Sequence, residues 1–388
     1  MHNNKKKTIA VIFGGRSAEH DVSIITAHVP IIQSLLATGQ FEVVPIYIAK
    51  DGSWYSEDAM NDIAYFKQPD FEERTRRNKK LQLSFDNGFK IIRPGFPSKT
   101  ISADIVFPSM HGTFGEDGSL SGLLRMANVP FVGCGLFASA VAMDKALTKQ
   151  VVAAEGIPVV PYVWFTRNDW ERNKSEWKEK IEKLQWPLFV KPVHLGSSIA
   201  ITKVTDATAL ENAVEVALHY DDKVLVEESV ENLVEVTLPI MGNDDLQLAA
   251  TERPLNKTEF FDFNDKYLLG GKKGSGVNSA YSEIPANIPP KLAHEVEELG
   301  KKVYKTLGCS GIARIDFLID GARERIFVNE VNTLPGSLYH HNWKKVGVSN
   351  IELVSKLVAL AEERFANEQK LTRTFKSDIL NKASGGKL

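Results

Sequence analysis

The chain is poor in cysteine and carries almost no net charge. It has 2 cysteines among 388 residues, Cys134 and Cys309, and they form no Cys-x-x-Cys pair. A disulfide framework or a zinc knuckle is therefore not expected, and a reducing compartment fits this composition. The 47 Lys and Arg residues nearly balance the 49 Asp and Glu residues. The chain thus lacks an overall positive field that would hold nucleic acid or an anionic membrane.

Long apolar runs are also missing. A membrane-spanning helix needs about 20 consecutive apolar residues, and no segment of the sequence approaches that length. The apolar run from Thr8 to Phe13 follows a basic N-terminus, but it is short for a signal peptide and no small-residue cleavage site follows it. We therefore expect a cytoplasmic protein with a buried first strand, and with neither a membrane nor nucleic acid as a partner.

The rest of the composition is that of a globular protein with several domains. Hydrophobic residues make up 43% of the chain, and at ~100–200 residues per domain the length predicts two or three domains. In the first third, the strand-like segments Ile9–Phe13 and Phe41–Ile48 alternate with a helical pattern over Asp21–Leu36. Such alternation is typical of an open parallel sheet. Further predictions are a loop or hairpin over residues 67–82 and one amphipathic helix over Asp169–Leu184.

Two strand-like segments carry polar residues on one face. Arg314 and Asp316 alternate with apolar residues in the first segment, and Glu330 and Asn332 do so in the second. Because residues two apart in a strand share a face, these side chains are expected to project to the same side. Three oxygen donors without His or Cys suit Mg²⁺ together with substrate phosphates. The alternative is a salt bridge between neighbouring strands.

A second group of residues is typical of a phosphate site. Lys191 lies at the end of a strand, and Gly196, Ser197 and Ser198 follow in a loop that can close over a phosphate. Lys145 adds a further positive charge. The loop lacks the Gly-x-x-x-x-Gly-Lys-Ser/Thr pattern of a Walker A loop. From these residues alone, an ordinary turn remains the alternative.

Two glycine-containing loops follow strands in the first third. Loop 111–122 holds His111 and Glu116 at a strand's C-terminal end, where open α/β sheets bind ligands. A tight turn with a capping carboxylate is the alternative. Gly14-Gly15 precedes a helix, but the Gly-x-Gly-x-x-Gly fingerprint of dinucleotide-binding proteins is absent. Glu19 at that helix start is better suited to a ligand ammonium than to a pyrophosphate.

Taken together, these segments resemble the D-alanine–D-alanine ligases, a family of the ATP-grasp superfamily. The stretch from His111 to Gly122 resembles one family signature, and the stretch from Gly311 to Gly336 resembles the other. The resemblance extends from residue 8 to residue 366. Further motifs in the family's order are Phe13–Ser23, Ala142–Lys145, Val190–Ser198 and Asp265–Tyr267.

The resemblance implies a mixed α/β and α+β architecture, an ATP-grasp fold with a Rossmann-like N-terminal domain. The expected domains are the Rossmann-like part at 1–135, the small central subdomain at 136–232, and the C-terminal subdomain with the metal and acyl-phosphate site at 233–388. The implied reaction joins two D-alanines through an acyl phosphate, with ATP and two Mg²⁺ ions, or Mn²⁺, as cofactors. Its product, D-Ala-D-Ala, serves peptidoglycan synthesis, and a homodimer is the family's habit.

The resemblance also implies a role for each matching residue. Glu19 would anchor the ammonium of the first substrate, and Arg314 would stabilise the tetrahedral intermediate. The chain from Glu227 to Glu235 is one residue longer than the family pattern. The implied roles are catalysis for Glu19, Ser197, Tyr267 and Arg314, ATP binding for Lys145, Lys191, Ser198, Glu227, Glu235 and Lys266, substrate binding for His111, Gly336, Ser337 and His341, and metal binding for Asp316, Glu330 and Asn332.

Two departures from the family pattern leave the second substrate open. Segment 337–347 is about one turn shorter than the Ser/Thr-rich stretch that receives the second substrate's carboxylate, and loop 269–282 is longer. One alternative is a related ligase that joins D-alanine to D-serine, D-lactate or another amino acid. The other is a nucleotide-binding protein without catalysis. Lys266-Tyr267 resembles the dipeptide-forming members rather than the depsipeptide-forming ones.

Overall fold

The N-terminal part is built on a mostly parallel sheet. The computed structural model describes residues 6–86, 88–255, 282–377 and 379. In the first sheet, the central strand lies parallel to both of its neighbours, and Ile9–Phe13 in that strand are fully buried. A parallel central strand is covered on both faces, which explains its continuous apolar run. The elements are β1 Lys7–Gly14, β2 Phe41–Ile48, β3 Trp54–Tyr55, β4 Gln82–Ser84, β5 Phe89–Arg93, β6 Lys99–Ala103 and β7 Ile105–Pro108, with α1 His20–Thr26, α2 Gln33–Ala37, α3 Phe71–Arg77 and α4 Ser119–Met126.

The order of the main sheet is β3-β2-β1-β7, and β4, β5 and β6 form a separate antiparallel sheet.

Two helices of this part differ from the sequence expectations. The helix predicted over 21–36 contains a π-helical segment, Ala27–Ile32, around Pro30. Proline has no N–H to donate, so the regular helical pattern is interrupted there. The prediction of a loop or hairpin over 67–82 was wrong for α3, where Arg76 pairs with Glu72 one turn away.

The central part is an antiparallel sheet with its own core. The sheet order is β10-β9-β11-β8, and the helix after β10 packs against it. The single helix predicted over 169–184 is two helices, because Asn173 interrupts the first and caps the second by accepting from the backbone N–H of Glu176. The elements are α5 Leu136–Met143, α6 Lys145–Ala154, β8 Tyr162–Thr166, α7 Arg167–Arg172, α8 Lys174–Ile181, β9 Leu188–Pro192, β10 Thr202–Val204, α9 Ala207–Tyr220 and β11 Lys223–Glu228.

The C-terminal part is a further antiparallel sheet covered by a long helix. The sheet order is β13-β12-β16-β17. The helix approaches closely at Gly300, where an added Cβ would lie 2.6 Å from Leu238. The elements are β12 Leu233–Gly242, β13 Gln247–Leu248, β14 Arg253–Pro254, β15 Ser282–Glu283, α10 Pro290–Thr306, β16 Gly311–Asp320, β17 Arg325–Asn332, α11 His340–Lys345 and α12 Asn350–Gln369.

The last helix joins the N-terminal and C-terminal parts. Apolar residues of α12 share one buried cluster with β1 and the helices behind it. Arg364 of α12 donates to the carbonyl oxygen of Phe131 at 2.6 Å and to Ser310 Oγ at 2.7 Å. The central sheet packs around a separate cluster. Within the described ranges, no helix is long and apolar enough to cross a bilayer.

Candidate active site

A cavity of about 520 Å³ opens where the three main sheets meet. It is lined by strand ends and loops from all three parts of the chain, which is the usual setting for a small-molecule site. Lys266 and Tyr267 lie outside the described residues. The other residues predicted from the sequence all line this cavity: Glu19, His111, Lys145, Lys191, Ser197, Ser198, Glu227, Glu235, Arg314, Asp316, Glu330, Asn332, Gly336, Ser337 and His341.

Strands β16 and β17 supply one wall of the cavity. Asp316 pairs with Glu330 and Arg314 with Asn332 in the antiparallel register, so the four side chains share a face. Arg314 donates from Nε to one carboxylate oxygen of Asp316 at 2.6 Å and from Nη2 to the other at 2.5 Å. Burial lowers the pKa of Arg314, but the carboxylate of Asp316 outweighs it, and the net pKa is raised. The guanidinium is therefore a fixed positive charge.

The same wall offers the donor set of a magnesium site. Asp316 and Glu330 supply carboxylate oxygens, and the amide of Asn332 lies 3.4 Å from Asp316 Oδ2. Oxygen donors of this type fit a hard divalent cation. Arg314 Nη2 also lies 3.8 Å from Glu330 Oε1 on the neighbouring strand, so the wall contains a salt bridge between strands as well. The metal site and the salt bridge between neighbouring strands, which were the two interpretations of the sequence, are thus both compatible with the geometry.

A buried carboxylate at the edge of the cavity, Glu227 of β11, lies between two lysines. Lys149 Nζ lies 2.9 Å from Glu227 Oε2, and Lys191 bonds to Oε1 of the same carboxylate. Burial raises the pKa of Glu227, but the two ammonium groups have the larger, opposite effect, and the net pKa is lowered to about 2. The sequence analysis missed Lys149. Its signal was available, because Lys149 lies four residues after Lys145, on the same face of α6.

Lys145 connects the 195–198 loop, the phosphate-type loop, to the oxygen-donor wall formed by β16 and β17. Lys145 Nζ donates to the carbonyl oxygen of Leu195 at 2.7 Å and lies 3.4 Å from Glu330 Oε2. Ser197 and Ser198 both have left-handed backbones, with φ of 55° and 57°. The loop is therefore tightly turned beside a lysine that contacts both sides of the cavity.

Glu19 is held by two loops that are distant in sequence. Ser197 Oγ donates to Glu19 Oε1 at 2.5 Å. On the other side, Gly112 has φ of +66°, and an added Cβ would lie 2.7 Å from Glu19 Oε2. Gly112 is thus required both by its backbone conformation and by the space that the carboxylate occupies. Its N–H donates to Glu116 Oε2 at 2.7 Å.

Glu116 is a half-buried carboxyl beside another carboxyl. Burial and, second to it, the charge of Glu19 raise the pKa of Glu116 to about 8. Burial lowers the pKa of His111, whose Nε2 lies 2.9 Å from Thr26 Oγ1. At neutral pH, Glu116 is therefore mostly protonated and His111 neutral. The sequence placed Glu116 in a polar loop but did not assign it to the site.

We expect Glu116→Gln to alter the pH dependence of stability. The pKa of Glu116 is raised from 4.5 to about 8 in the folded protein, so the folded state binds more protons than the unfolded state between these values. Wild-type stability should then fall as pH rises through this window, and the amide variant lacks that contribution. Thermal melting from pH 5 to pH 8.5 should show the wild type losing Tm relative to Glu116→Gln.

The matched control for this measurement is Glu155→Gln, because Glu155 is exposed after α6. Its melting curves should follow the wild type at every pH. A constant Tm difference between wild type and Glu116→Gln across the window would show that Glu116 does not hold its proton in the folded state.

A strained turn closes the cavity near the segment that departs from the family pattern. Ser337, Leu338 and Tyr339 are three successive residues with left-handed backbones. Leu338 is fully buried, and the Ser337 N–H donates to Thr26 Oγ1 at 3.0 Å. The guanidinium carbon of Arg314 lies 4.9 Å from the ring centroid of Tyr339. Burial and these contacts hold a conformation that non-glycine residues rarely adopt.

A histidine–carboxylate pair lies next to this turn. His341 Nε2 is 3.2 Å from Glu252 Oε2, and the rings of Tyr339 and His341 are 5.5 Å apart. Burial raises the pKa of Glu252, but the bond to His341 outweighs it, and the net pKa is lowered. The sequence analysis missed Glu252. Its position depends on a bridge to Thr237 of β12, which no local pattern indicates.

Comparisons with known proteins agree with this geometry. The family description "D-ala D-ala ligase N-terminus" matches residues 8–134, and "D-ala D-ala ligase C-terminus" matches residues 151–359. The chain is 36% identical over 362 residues to a D-alanine–D-alanine ligase of Thermosipho melanesiensis, covering 93% of this chain and 95% of that protein.

Two solved structures have a similar fold. The D-alanine–D-alanine ligase of Coxiella burnetii is 29% identical with a TM-score of 0.79, covering 94% of this chain and 97% of that one. The VanG D-Ala:D-Ser ligase of Enterococcus faecalis is 32% identical with a TM-score of 0.74, covering 92% of this chain and 100% of that one. The ATP-grasp fold with a Rossmann-like N-terminal domain is confirmed. This chain belongs to the D-alanine–D-alanine ligase family.

Proposed function

We propose that this protein joins two D-alanines and converts ATP to ADP and phosphate. The observation that carries the proposal is the composition of one cavity. Lysines, a serine loop, an oxygen-donor wall and a fixed guanidinium all face the same space. Each of these groups meets one requirement of a reaction in which a nucleoside triphosphate activates a carboxylate.

In the first step, the carboxylate of one D-alanine attacks the γ-phosphorus of ATP. A bond from the carboxylate oxygen to phosphorus forms while the bond to ADP breaks, which gives an acyl phosphate. Lys145 and Lys191 offset the charge on the phosphates, and Glu19 binds the ammonium of the D-alanine. Asp316, Glu330 and Asn332 would hold two Mg²⁺ ions, or Mn²⁺. Bound Mg²⁺ would neutralise charge that develops on the phosphoryl oxygens.

In the second step, the neutral amine of the other D-alanine attacks the acyl carbon. The amide C–N bond forms, the C–O bond to phosphate breaks, and the departing phosphate takes up the proton that the amine loses. Arg314 lies beside the oxygen-donor wall, and its fixed charge suits the negative oxygen of the tetrahedral intermediate. Ser337 and His341 line the end of the cavity where the second carboxylate would bind. The roles of Lys266 and Tyr267 in closing over the site stay a prediction.

The proposal includes the organisation of the chain. We place the Rossmann-like domain at 1–135, the central subdomain at 136–232 and the C-terminal subdomain at 233–388, and the three main sheets support this division. ATP would lie between the last two, near Glu227 and Glu235. A homodimer in the cytoplasm, supplying D-Ala-D-Ala for peptidoglycan, completes the proposal.

Phosphate release tests the function directly. Purified protein with ATP and Mg²⁺ should release phosphate with D-alanine alone, and mass spectrometry should detect D-Ala-D-Ala. L-Alanine is the control substrate and should give only background release. If release requires a second compound such as D-serine or D-lactate, the substrate assignment is wrong. ATP binding without release under any condition would contradict catalysis altogether.

We expect Glu19→Gln to raise the KM for the first D-alanine. The amide keeps the hydrogen bond from Ser197 but loses the charge that binds the ammonium. A charge-assisted contact contributes roughly 1.5–3 kcal/mol, which corresponds to a ~10–100-fold higher KM. Steady-state kinetics at saturating ATP should show this change with little effect on the KM for ATP. Glu42→Gln, on an exposed position of β2, is the control; an unchanged KM in Glu19→Gln would refute the anchoring role.

A further inference from the structure

His194 lies between the phosphate-type loop and the helix that carries Lys145, outside the cavity. Its backbone N–H donates to Asp221 Oδ2 at 2.7 Å, and its Nδ1 lies 2.9 Å from Asp221 Oδ1. Its Nε2 lies 3.4 Å from Asp144 Oδ2. One imidazole thus contacts two carboxylates that belong to different elements.

Both carboxylates are attached to parts of the site. Asp144 caps α6 by accepting from the Leu147 N–H at 2.8 Å, and the next residue is Lys145. Asp221 follows α9, which packs against β9, the strand that carries Lys191. Leu195, the residue after His194, accepts from Lys145 Nζ at 2.7 Å. The His194 ring therefore ties the start of α6 to the start of the loop.

The charged groups around the ring explain its protonation. The bonds to Asp144 and Asp221 raise the pKa of His194 to about 9, against the opposing effect of burial. Asp222 also lies near the ring, and Lys223 Nζ is 2.7 Å from Asp144 Oδ2. His194, Asp221 and Asp222 are spaced closely enough to hold a metal ion. Both ring nitrogens of His194 contact the carboxylates of Asp221 and Asp144, so we interpret the group as an ion-pair cluster.

We propose that His194 is a positioning residue for ATP binding. Through Asp144 and Asp221, the His194 side chain fixes the position of the Lys145 ammonium relative to the 195–198 loop. The proposal rests on the proposed function, since it assigns the phosphate contacts to Lys145 and to this loop. His194 does not line the cavity itself. Its effect is therefore on the geometry of the groups that bind the nucleotide.

The first test is nucleotide affinity, measured by calorimetry with Mg²⁺ and a non-hydrolysable ATP analogue. His194→Ala should weaken binding ~10-fold, because misplacing a charged contact by ~1 Å is costly. His194→Arg keeps a positive charge with two donors and should restore most of the affinity. His219→Ala is the control, because His219 is an exposed histidine at the end of α9; it should bind like the wild type.

The second test is the pH dependence of that affinity, which a purely structural role would not produce. Wild-type binding should weaken relative to His194→Arg as pH rises from 8 to 10, because neutral His194 releases both carboxylates; its pKa is about 9. His194→Ala should be weak throughout. Asp221→Asn removes one partner and should shift the midpoint to lower pH. This fourth variant keeps the test decisive if the arginine variant does not fold.

The outcomes separate this proposal from the proposed function. Equal affinity and an equal pH profile in wild type and His194→Ala would overturn the positioning role, whether or not the protein makes a dipeptide. Normal analogue binding with the predicted pH profile, but no product from D-alanine, would leave the positioning role intact and contradict the ligase assignment.

Discussion

Replacing Arg314 with alanine is expected to remove nearly all turnover while leaving ATP binding nearly unchanged. The guanidinium belongs to the wall beside which the acyl carbon would react, and its charge is fixed by the fork on Asp316. A preorganised charge stabilises an intermediate more than a ground state. Loss of such a group lowers kcat ~10³-fold. The KM for ATP should change little, because Arg314 is not among the residues proposed to bind the nucleotide.

Two further variants make this result specific. Arg314→Lys keeps a charge but loses the planar fork, so its kcat should fall between those of the wild type and the alanine variant. Arg325→Ala, in an exposed position at the start of β17, should retain full activity. Turnover near the wild-type rate in Arg314→Ala would remove Arg314 from the mechanism, and a parallel loss of ATP binding would indicate a structural role instead.

Replacing Glu330 with glutamine is expected to have an effect of similar size through the metal. Glu330 pairs with Asp316 across the two strands and lies 3.4 Å from Lys145. The amide keeps the shape but supplies no negative charge to a divalent cation. Metal stabilisation of several kcal/mol corresponds to a loss of roughly 10³-fold in kcat. The Mg²⁺ concentration for half-maximal activity should also rise.

Manganese binding separates the metal from other causes of inactivity. In the presence of ADP, electron paramagnetic resonance should count fewer tightly bound Mn²⁺ ions in Glu330→Gln than in the wild type. Glu324→Gln, in the turn between β16 and β17, is the control and should match the wild type. An unchanged Mn²⁺ count with lost activity would mean that Glu330 acts through Lys145 rather than as a ligand.

The parts of the site that were predictable depend on local periodicity. Arg314, Asp316, Glu330 and Asn332 alternate with apolar residues, and a strand has a period of two, so the shared face of each pair within its strand follows from the order of residues. The register of β16 with β17 then brings the two pairs to the same face. The buried first strand was predictable for the same reason, because its apolar run is uninterrupted. The motifs that resemble the D-alanine–D-alanine ligases extended the prediction to site residues that lie far from these strands in the sequence.

The remaining features depend on tertiary contacts. Glu252 reaches the cavity through its bridge to β12, and the raised pKa of Glu116 depends on burial beside Glu19. Neither a strand register nor a desolvated environment is visible in a local pattern. The split of the 169–184 helix at Asn173 was missed because the apolar stripe continues on both sides of the break. Helix breaks of this kind depend on capping as well as periodicity.

The left-handed turn at Ser337, Leu338 and Tyr339 also constrains how the chain can evolve. Each of these positions tolerates few residue types, since a left-handed backbone disfavours β-branched and bulky side chains. Single mutations there carry a folding cost before they alter any substrate contact. His341 lies in helix α11 and Glu252 lies on a bridge beside β12, so neither residue has a left-handed backbone. Under the proposed function His341 lies near the second substrate, so a change of that substrate is expected more readily from substitutions of His341 and its partner Glu252 than from the turn.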